Sequence, residues 1–261
     1  MAEPIRFDDS VAYEQSIGTW SRMTGDAFLA WLAPASGQRW LDVGCGNGAF
    51  SELIVQRCSP SEVQGIDPSE AQVTYAKNRL TAGPTHFRCG DAMALPYRDA
   101  EFDLAVMGLV IFFVPDPAKG VVEMTRVVRP GGVVASYAWD MLGGGSPADP
   151  IFVEMRAMGL TPPLPPSASA AGLRESTELW AAAGLQDIET QEITVERTFA
   201  NFEAFWSTCL LGPGLGPSIK AMEPSQAATL KAGVHARLAA NADRSLTCIA
   251  RANAIKGWVL G

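Results

Sequence analysis

The chain has 261 residues, a formal net charge of −8 and no basic run, so a nucleic-acid partner, which needs Lys and Arg to neutralise phosphates, is not expected. With 48% hydrophobic and 18% charged residues, it predicts a globular protein with a large core. The strongest apolar run, residues 104–114, is too short to cross a bilayer, and the acidic N-terminus lacks the apolar centre of a signal peptide. Five scattered cysteines suggest neither a disulfide framework nor a metal site, so we expect a cytoplasmic protein without membrane insertion.

Residues 40–50 read Trp-Leu-Asp-Val-Gly-Cys-Gly-Asn-Gly-Ala-Phe. Apolar residues lead into Asp42, three glycines follow at alternate positions, and a helical apolar pattern begins at Phe50. This order predicts a buried parallel strand, a tight turn and a helix N-terminus. Glycines let a ligand touch the backbone, and the unpaired N–H groups of a helix N-terminus suit a negatively charged group. We therefore predict a nucleotide-like ligand at the carboxyl end of this strand.

Two ligand classes fit the turn. Read as Gly44-x-Gly46-x-x-Ala49, with Asp67 about 20 residues on, it matches the fingerprint of NAD-dependent oxidoreductases. Against that class stand Asp42 inside the strand, the extra glycine at Gly48, and the absence of a Tyr-x-x-x-Lys motif or a suitably placed histidine.

The glycine turn is followed by Gly65-Ile-Asp67 and then by Gly90-Asp91-Ala92. In this order and spacing, the motifs resemble those of class I S-adenosylmethionine-dependent methyltransferases. The resemblance is closest to the small-molecule branch that includes the ubiquinone and menaquinone C-methyltransferases, and it covers residues 10–140 best. It implies a Rossmann-like α/β fold, with a mostly parallel seven-stranded sheet, helices on both faces and an antiparallel last strand.

On this resemblance we expect a single domain, residues 1–261. Residues 1–35, whose apolar spacing predicts two helices, would form a helical lid, and residues 36–140 the cofactor-binding core. Residues 141–172, rich in Gly and Pro, and residues 199–240 would form acceptor-side cap elements.

The implied cofactor is S-adenosylmethionine. Asp67 would accept the ribose hydroxyls, unless it only caps the next helix, and Asp91 would bind the adenine amino group, unless it only forms a turn. Tyr13, Trp20 and Arg22 would reach the cofactor from the lid, Arg22 through the methionine carboxylate, unless they only pack or face solvent. The other expected cofactor-binding residues come from the motifs and the end of the fourth strand: Asp42, Gly44, Cys45, Gly46, Gly48, Pro68, Ala92, Gly108 and Leu109.

The acceptor and the chemistry are less constrained. Tyr137 and Asp140, at the end of the fifth predicted strand, are the candidate catalytic residues, whereas His86 is expected to be structural and His235 exposed. An apolar acceptor cavity would be lined by six residues that would otherwise be core: Met155, Met158, Phe202, Phe205, Trp206 and Met222. In the resembling family, many members that methylate DNA bases or protein glutamine carry Asn/Asp-Pro-Pro-Tyr after the fourth strand. This chain lacks that motif, so the resemblance disfavours both of these activities.

The sequence therefore predicts methyl transfer from S-adenosylmethionine to a small, apolar or aromatic acceptor, at an O, C or N atom. The alternatives are an NAD-dependent oxidoreductase and a non-catalytic S-adenosylmethionine-binding protein. The sequence leaves the oligomeric state open and predicts no metal.

Overall fold

The structure is a computed structural model that describes residues 17–212, 214–238 and 244–261. Its strands form one seven-stranded sheet. In chain order they are β1 (Arg39–Val43), β2 (Glu62–Asp67), β3 (Thr85–Cys89), β4 (Phe102–Gly108), β5 (Val128–Trp139), β6 (Gln186–Phe199) and β7 (Leu246–Trp258).

The strand order across the sheet is β3-β2-β1-β4-β5-β7-β6. Strands β1 to β5 pair in parallel, whereas β7 lies antiparallel between β5 and β6. The central strands β1 and β4 are almost continuously buried, as expected for parallel strands covered on both faces. The predicted Rossmann-like fold, including the antiparallel last strand, is confirmed.

The helices of the described residues are numbered in chain order. They are α1 (Thr19–Leu32), α2 (Ala49–Cys58), α3 (Glu70–Arg79), α4 (Pro117–Val127), α5 (Asp149–Ala157), α6 (Leu173–Ala182), α7 (Phe202–Leu210), α8 (Leu215–Lys220) and α9 (Pro224–Arg237). The short helix α8 was not predicted, because its sequence, Leu-Gly-Pro-Ser-Ile-Lys, carries a glycine and a proline. No helix in the described ranges combines the length and apolar character needed to span a membrane.

Helix α1 confirms one of the two helices predicted before β1; residues 1–16, with Tyr13, lie outside the described residues. The buried Phe28 of α1 packs its ring against Phe50 of α2 and Tyr137 of β5, with centroids 6.1 and 4.5 Å away. Aromatic packing of this kind adds to the burial of apolar area. It fixes α1 beside the carboxyl ends of the central strands.

Candidate functional site

A cavity of about 990 Å³ opens at the carboxyl ends of β1, β2, β4 and β5. This volume lies at the upper end of the range for small-molecule sites. Strand β1 is the switch point of the sheet, because β2 and β3 extend from it in one direction and β4 and β5 in the other. Ligands of open α/β sheets bind in the crevice outside such a point.

The glycine turn after β1 forms the floor of the cavity. Gly44, Gly46 and Gly48 all have positive φ angles, of 77°, 52° and 80°, a region that side chains disfavour. A Cβ atom on Gly44 would lie 2.5 Å from a methyl carbon of Val110, whereas one on Gly46 would meet no atom of the described residues within 4 Å. Gly44 therefore serves packing against the loop after β4, and Gly46 presents bare backbone to the cavity.

Asp67, the last residue of β2, reaches into the cavity wall. Its Oδ2 accepts a hydrogen bond from the Gly46 N–H, and its Oδ1 accepts one from the Ser69 N–H, each 2.9 Å long. Burial raises the pKa of Asp67, while these two N–H donors lower it. A carboxylate has about four acceptor positions, so two remain for a ligand.

The capping interpretation of Asp67 is wrong in detail, because Ser69 is the N-cap of α3 and its side chain accepts from the Gln72 N–H. Pro68 precedes this cap, since α3 begins two residues later. Pro68 lines the cavity, as expected for a cofactor-binding residue.

Asp42 lies beneath the glycine turn and is not a cavity residue, contrary to the sequence-based expectation. It is 1% exposed, and its Oδ2 accepts a 2.6 Å hydrogen bond from the Ser51 hydroxyl of α2. Burial raises the pKa of Asp42 to about 7, despite the opposing hydrogen bond from Ser51. Its side chain thus joins the end of β1 to the first turn of α2.

Gly48 is also absent from the cavity wall, since it packs on α3, where its Cβ would lie 3.0 Å from the Cβ of Ala76. Cys45 does line the cavity. Burial, together with the charges of Asp42 and Asp67, raises the pKa of its thiol well above the usual value. A thiol held protonated in this way is a poor nucleophile.

The remaining predicted cofactor-binding residues in the described ranges come together on the same wall. They are Trp20, Arg22, Asp91, Ala92, Gly108 and Leu109. Asp91 is exposed and also makes the expected turn, because its Oδ1 accepts a 2.8 Å hydrogen bond from the Met93 N–H. Arg22 donates a 3.1 Å hydrogen bond to the Gln56 side chain.

The part of the cavity wall that follows β4 in the chain is largely apolar. It is built by the segments after β4 and β5 and by the cap: Phe112, Phe113, Pro115, Trp139, Met141, Phe152, Pro163, Leu164, Pro165, Pro166, Cys209 and Leu215. Four charged residues line the cavity within the described ranges, Arg22, Asp67, Arg79 and Asp91, and all precede β4 in the chain. The cavity therefore combines a polar region around the glycine turn with an uncharged, largely apolar region.

The six residues expected to line the apolar region do not line it. Met155, Phe205 and Trp206 are buried in the core, and Phe202 packs on Trp206 and on the exposed His235. Met158 and Met222 are only partly buried and pack against the same core. Neighbouring residues, Phe152 on α5 and Cys209 on α7, line the cavity instead.

The two candidate catalytic residues differ in position. Tyr137 lines the cavity with a ring packed between Phe28 and Phe50, and it is 2% exposed. The expectation that Asp140 lies at the crevice is wrong, because it is not part of the wall and pairs with Arg251 of β7 at 2.5 Å.

The apolar wall contains one connection that sequence reasoning missed. Ser167 donates its backbone N–H to the Phe112 carbonyl at 3.0 Å and its hydroxyl to the Val114 carbonyl at 2.8 Å. These bonds hold Pro163–Pro166 against the short 3₁₀ helix Ile111–Phe113. No local signal marks such a contact, since the partners are more than 50 residues apart. Among the residues that the structure describes, no three His, Cys, Asp or Glu side chains are grouped to hold a metal.

Comparisons with known proteins agree with this geometry. A family model described as "Methyltransferase domain" matches residues 41–136. A demethylmenaquinone methyltransferase of Desulfitobacterium hafniense is 39% identical over 105 residues, 38% of this chain and 42% of that protein. One from Staphylococcus aureus is 32% identical over 156 residues, 59% and 60% of the two chains. The chain thus spans about half the length of these relatives.

A solved structure with the same fold is phosphoethanolamine N-methyltransferase 2 of Haemonchus contortus, in complex with phosphomonomethylethanolamine and S-adenosylhomocysteine. Its TM-score is 0.59 at 20% identity, over 96% of this chain and 57% of that one. At this identity the likeness establishes the fold alone.

Proposed function

We propose, from the premise that residues 41–136 belong to the methyltransferase domain family, that this chain transfers a methyl group from S-adenosylmethionine to a small, uncharged, apolar or aromatic acceptor. The resemblance seen in the sequence motifs is confirmed for this segment. One observation carries the acceptor class: the region of the cavity built by residues after β4 has no charged side chain among the described lining residues.

The polar region fits the nucleoside end of such a cofactor. Gly46 leaves its backbone open to a ligand, and Asp67 retains two acceptor positions for ribose hydroxyls. Asp91, Ala92 and Arg22 line the same cavity. We propose Asp91 and Ala92 for the adenine, and Arg22 for the methionine carboxylate. Trp20, Cys45, Pro68, Gly108 and Leu109 would complete this surface.

The acceptor region explains why an apolar ring is favoured. Burying a charged acceptor without a partner is costly, and the described wall after β4 offers aromatic rings and prolines but no counter-ion. The relatives from Desulfitobacterium and Staphylococcus are named for demethylmenaquinone. The wall is compatible with that kind of acceptor. Its described residues after β4 include no cation for the phosphate of phosphomonomethylethanolamine, the compound bound in the Haemonchus enzyme.

When bound, the cofactor supplies a methyl group on a positively charged sulfur. The contribution of the chain is to align the acceptor with that methyl and to exclude water, and alignment alone can lower a barrier by roughly 7–11 kcal/mol. Tyr137, beside Gly108 at the junction of the two regions, is the side chain we propose to orient the acceptor.

We further propose that residues 141–172 and 199–240 act as the acceptor-side cap and residues 1–35 as the lid. All five cysteines are unpaired thiols, which supports a reducing compartment such as the cytoplasm. The acidic charge supports the expectation of no nucleic-acid partner.

The test is methyl transfer from radiolabelled S-adenosylmethionine to a panel of hydroquinones, naphthols and phenols, with phosphoethanolamine and glycine as charged controls. We expect turnover on neutral aromatic members and none on the charged ones. Turnover confined to the charged acceptors would refute the acceptor class. Binding of cofactor without turnover on any member would favour a non-catalytic binding protein, and reduction of NAD would favour the oxidoreductase alternative.

A further inference from the structure

The first loop of the cap leaves the sheet beside an ion pair that joins β5 to β7. Asp140 follows the last residue of β5, and Arg251 lies on β7 opposite Thr194 of β6. The Arg251 guanidinium donates to Asp140 Oδ2 at 2.5 Å and to the Gly143 carbonyl at 2.9 Å, and it lies 3.4 Å from Glu192. One arginine therefore contacts both the start and the middle of the loop.

Backbone bonds reinforce this contact. The Asp140 N–H donates to the Arg251 carbonyl at 3.1 Å, and the Arg251 N–H donates to the Gly145 carbonyl at 2.9 Å. The Gly145 N–H donates to the Asp140 carbonyl at 2.7 Å, and the Gly143 N–H donates to Asp140 Oδ1 at 2.9 Å. We call the set of Asp140, Gly143, Gly145 and Arg251 the clasp.

The glycines of the clasp are required by close approach. A Cβ on Gly145 would lie 2.3 Å from the Arg251 carbonyl oxygen, and one on Gly143 would lie 2.1 Å from Asp140 Oδ2. Side chains at these positions would displace backbone or the ion pair. Composition alone would suggest that the Gly-Gly-Gly-Ser segment is a flexible linker, but hydrogen bonds to Asp140 and Arg251 hold it in place.

The residues that follow the clasp enter the cavity wall. Ser146, Pro147 and Ala148 line the apolar region, and α5 then presents Phe152 to it. The Ser146 hydroxyl accepts from the Ala148 N–H at 3.2 Å, and its carbonyl accepts from the Asp149 N–H at 2.9 Å, so α5 starts directly from the fixed loop. Movement of the clasp would move Phe152.

We propose that Arg251 and Asp140 are positioning residues, whose clasp fixes this part of the acceptor wall without touching the cofactor region. The carboxylate that sequence analysis offered as a catalytic group acts here through the loop that it holds. This inference deepens the proposed function. It rests on that function only in treating the apolar wall as the acceptor site.

The matched control is a second Arg–Asp pair, far from the cavity. Arg129 at the start of β5 pairs with Asp103 of β4 at 2.5 Å, and its side chain is 49% exposed, against 38% for Arg251. Both pairs join neighbouring strands or their ends, so loss of either removes a comparable interaction. Of the two pairs, Asp140–Arg251 is the one that holds the loop leading directly into the wall residues Ser146, Pro147 and Ala148.

The experiment compares Arg251→Ala, Arg251→Lys and Arg129→Ala with wild type by amide hydrogen exchange and by two binding titrations. The first titration uses S-adenosylhomocysteine. The second uses N-phenyl-1-naphthylamine, a neutral apolar fluorophore, with S-adenosylhomocysteine at saturation so that only the apolar region is open. Asp140→Asn is the second variant, should Arg251→Ala not fold.

For Arg251→Ala we expect exchange in residues 141–152 to accelerate about ten-fold or more. We expect the dissociation constant of the fluorophore to rise about five-fold and that of S-adenosylhomocysteine to stay within about two-fold. Arg251→Lys keeps the charge opposite Asp140, so its exchange rates and its dissociation constant for the fluorophore should stay close to those of wild type. Arg129→Ala should change neither quantity. Unchanged exchange in residues 141–152, or equal changes in Arg129→Ala, would overturn the proposal.

An equal rise in the dissociation constants of the fluorophore and of S-adenosylhomocysteine would also overturn the proposal, because the clasp would then act on the whole site. The exchange measurement needs no ligand, so failure of the clasp proposal can be distinguished from failure of the proposed function. If wild type bound no S-adenosylhomocysteine, the proposed function would fail while the clasp was still judged by exchange.

Discussion

The raised pKa of the buried Asp42 carboxyl predicts a pH dependence of the free energy of unfolding that can be measured without a ligand. Its pKa is about 7 in the folded chain, against an ordinary value of 3.8, mainly because burial disfavours the charged form. Between these values the unfolded chain releases the proton while the folded chain keeps it. The folded state then binds more protons, so Asp42 lowers the free energy of unfolding as pH rises from about 4 to about 7.

The variant Asp42→Asn keeps an oxygen to accept from the Ser51 hydroxyl but cannot ionise. One pKa unit corresponds to about 1.4 kcal/mol, so the stability of the variant relative to wild type should rise by about 3–4 kcal/mol between pH 4 and pH 8. Most of the gain should occur between pH 4 and 7, with little change above pH 8.

The assay is urea unfolding of both proteins across this pH range, taking the difference at each pH so that shared groups cancel. Asp103→Asn is the control, because although burial raises the Asp103 pKa, the Arg39 N–H and the Arg129 guanidinium lower it below 3.8. The difference in free energy of unfolding between Asp103→Asn and wild type should not change from pH 5 to 8. A flat difference for Asp42→Asn over that range would refute the assignment of a raised pKa to Asp42.

Two further predictions concern the cavity walls. Gly44→Ala should destabilise the chain by several kcal/mol in urea unfolding, because its Cβ would meet Val110 at 2.5 Å. Gly37 has nearly the same φ of 78°, but its Cβ would meet no atom of the described residues within 4 Å, so Gly37→Ala should lose only about 1 kcal/mol of stability. Equal losses in the two variants would contradict the packing argument. Ser167→Ala removes the 2.8 Å bond to Val114 and should lower Tm by about 2–4 °C in calorimetry, with no change in binding of S-adenosylhomocysteine. Weaker binding would show that this wall also supports the cofactor region.

Much of the fold is predictable because its signals are local. The apolar run before the glycine turn produces β1, and Asp116 and Asn201 cap α4 and α7 through side chains that accept from backbone N–H groups three residues on. The glycine spacing and Asp67 place the polar region at the carboxyl edge of the sheet, since parallel strands end together there.

The predictions about the site that were wrong concern side chains whose orientation depends on contacts with residues far away in the sequence. Asp42 faces α2 beneath the turn, and that direction depends on packing with Ser51. Helical periodicity marks α5 as amphipathic but does not decide whether Phe152 or Met155 faces the cavity, because both are apolar and buried. The partner of Asp140 is 111 residues away, so sequence offered no reason to expect an ion pair.

The most direct test of the central claim is calorimetric titration of wild type and Asp67→Ala with S-adenosylhomocysteine and, separately, with NAD. We expect binding of S-adenosylhomocysteine with a dissociation constant of micromolar order, weakened about ten-fold or more in Asp67→Ala, which corresponds to one charge-assisted hydrogen bond. No binding of S-adenosylhomocysteine by wild type, or clearly tighter binding of NAD, would contradict the methyltransferase account and favour the dinucleotide alternative.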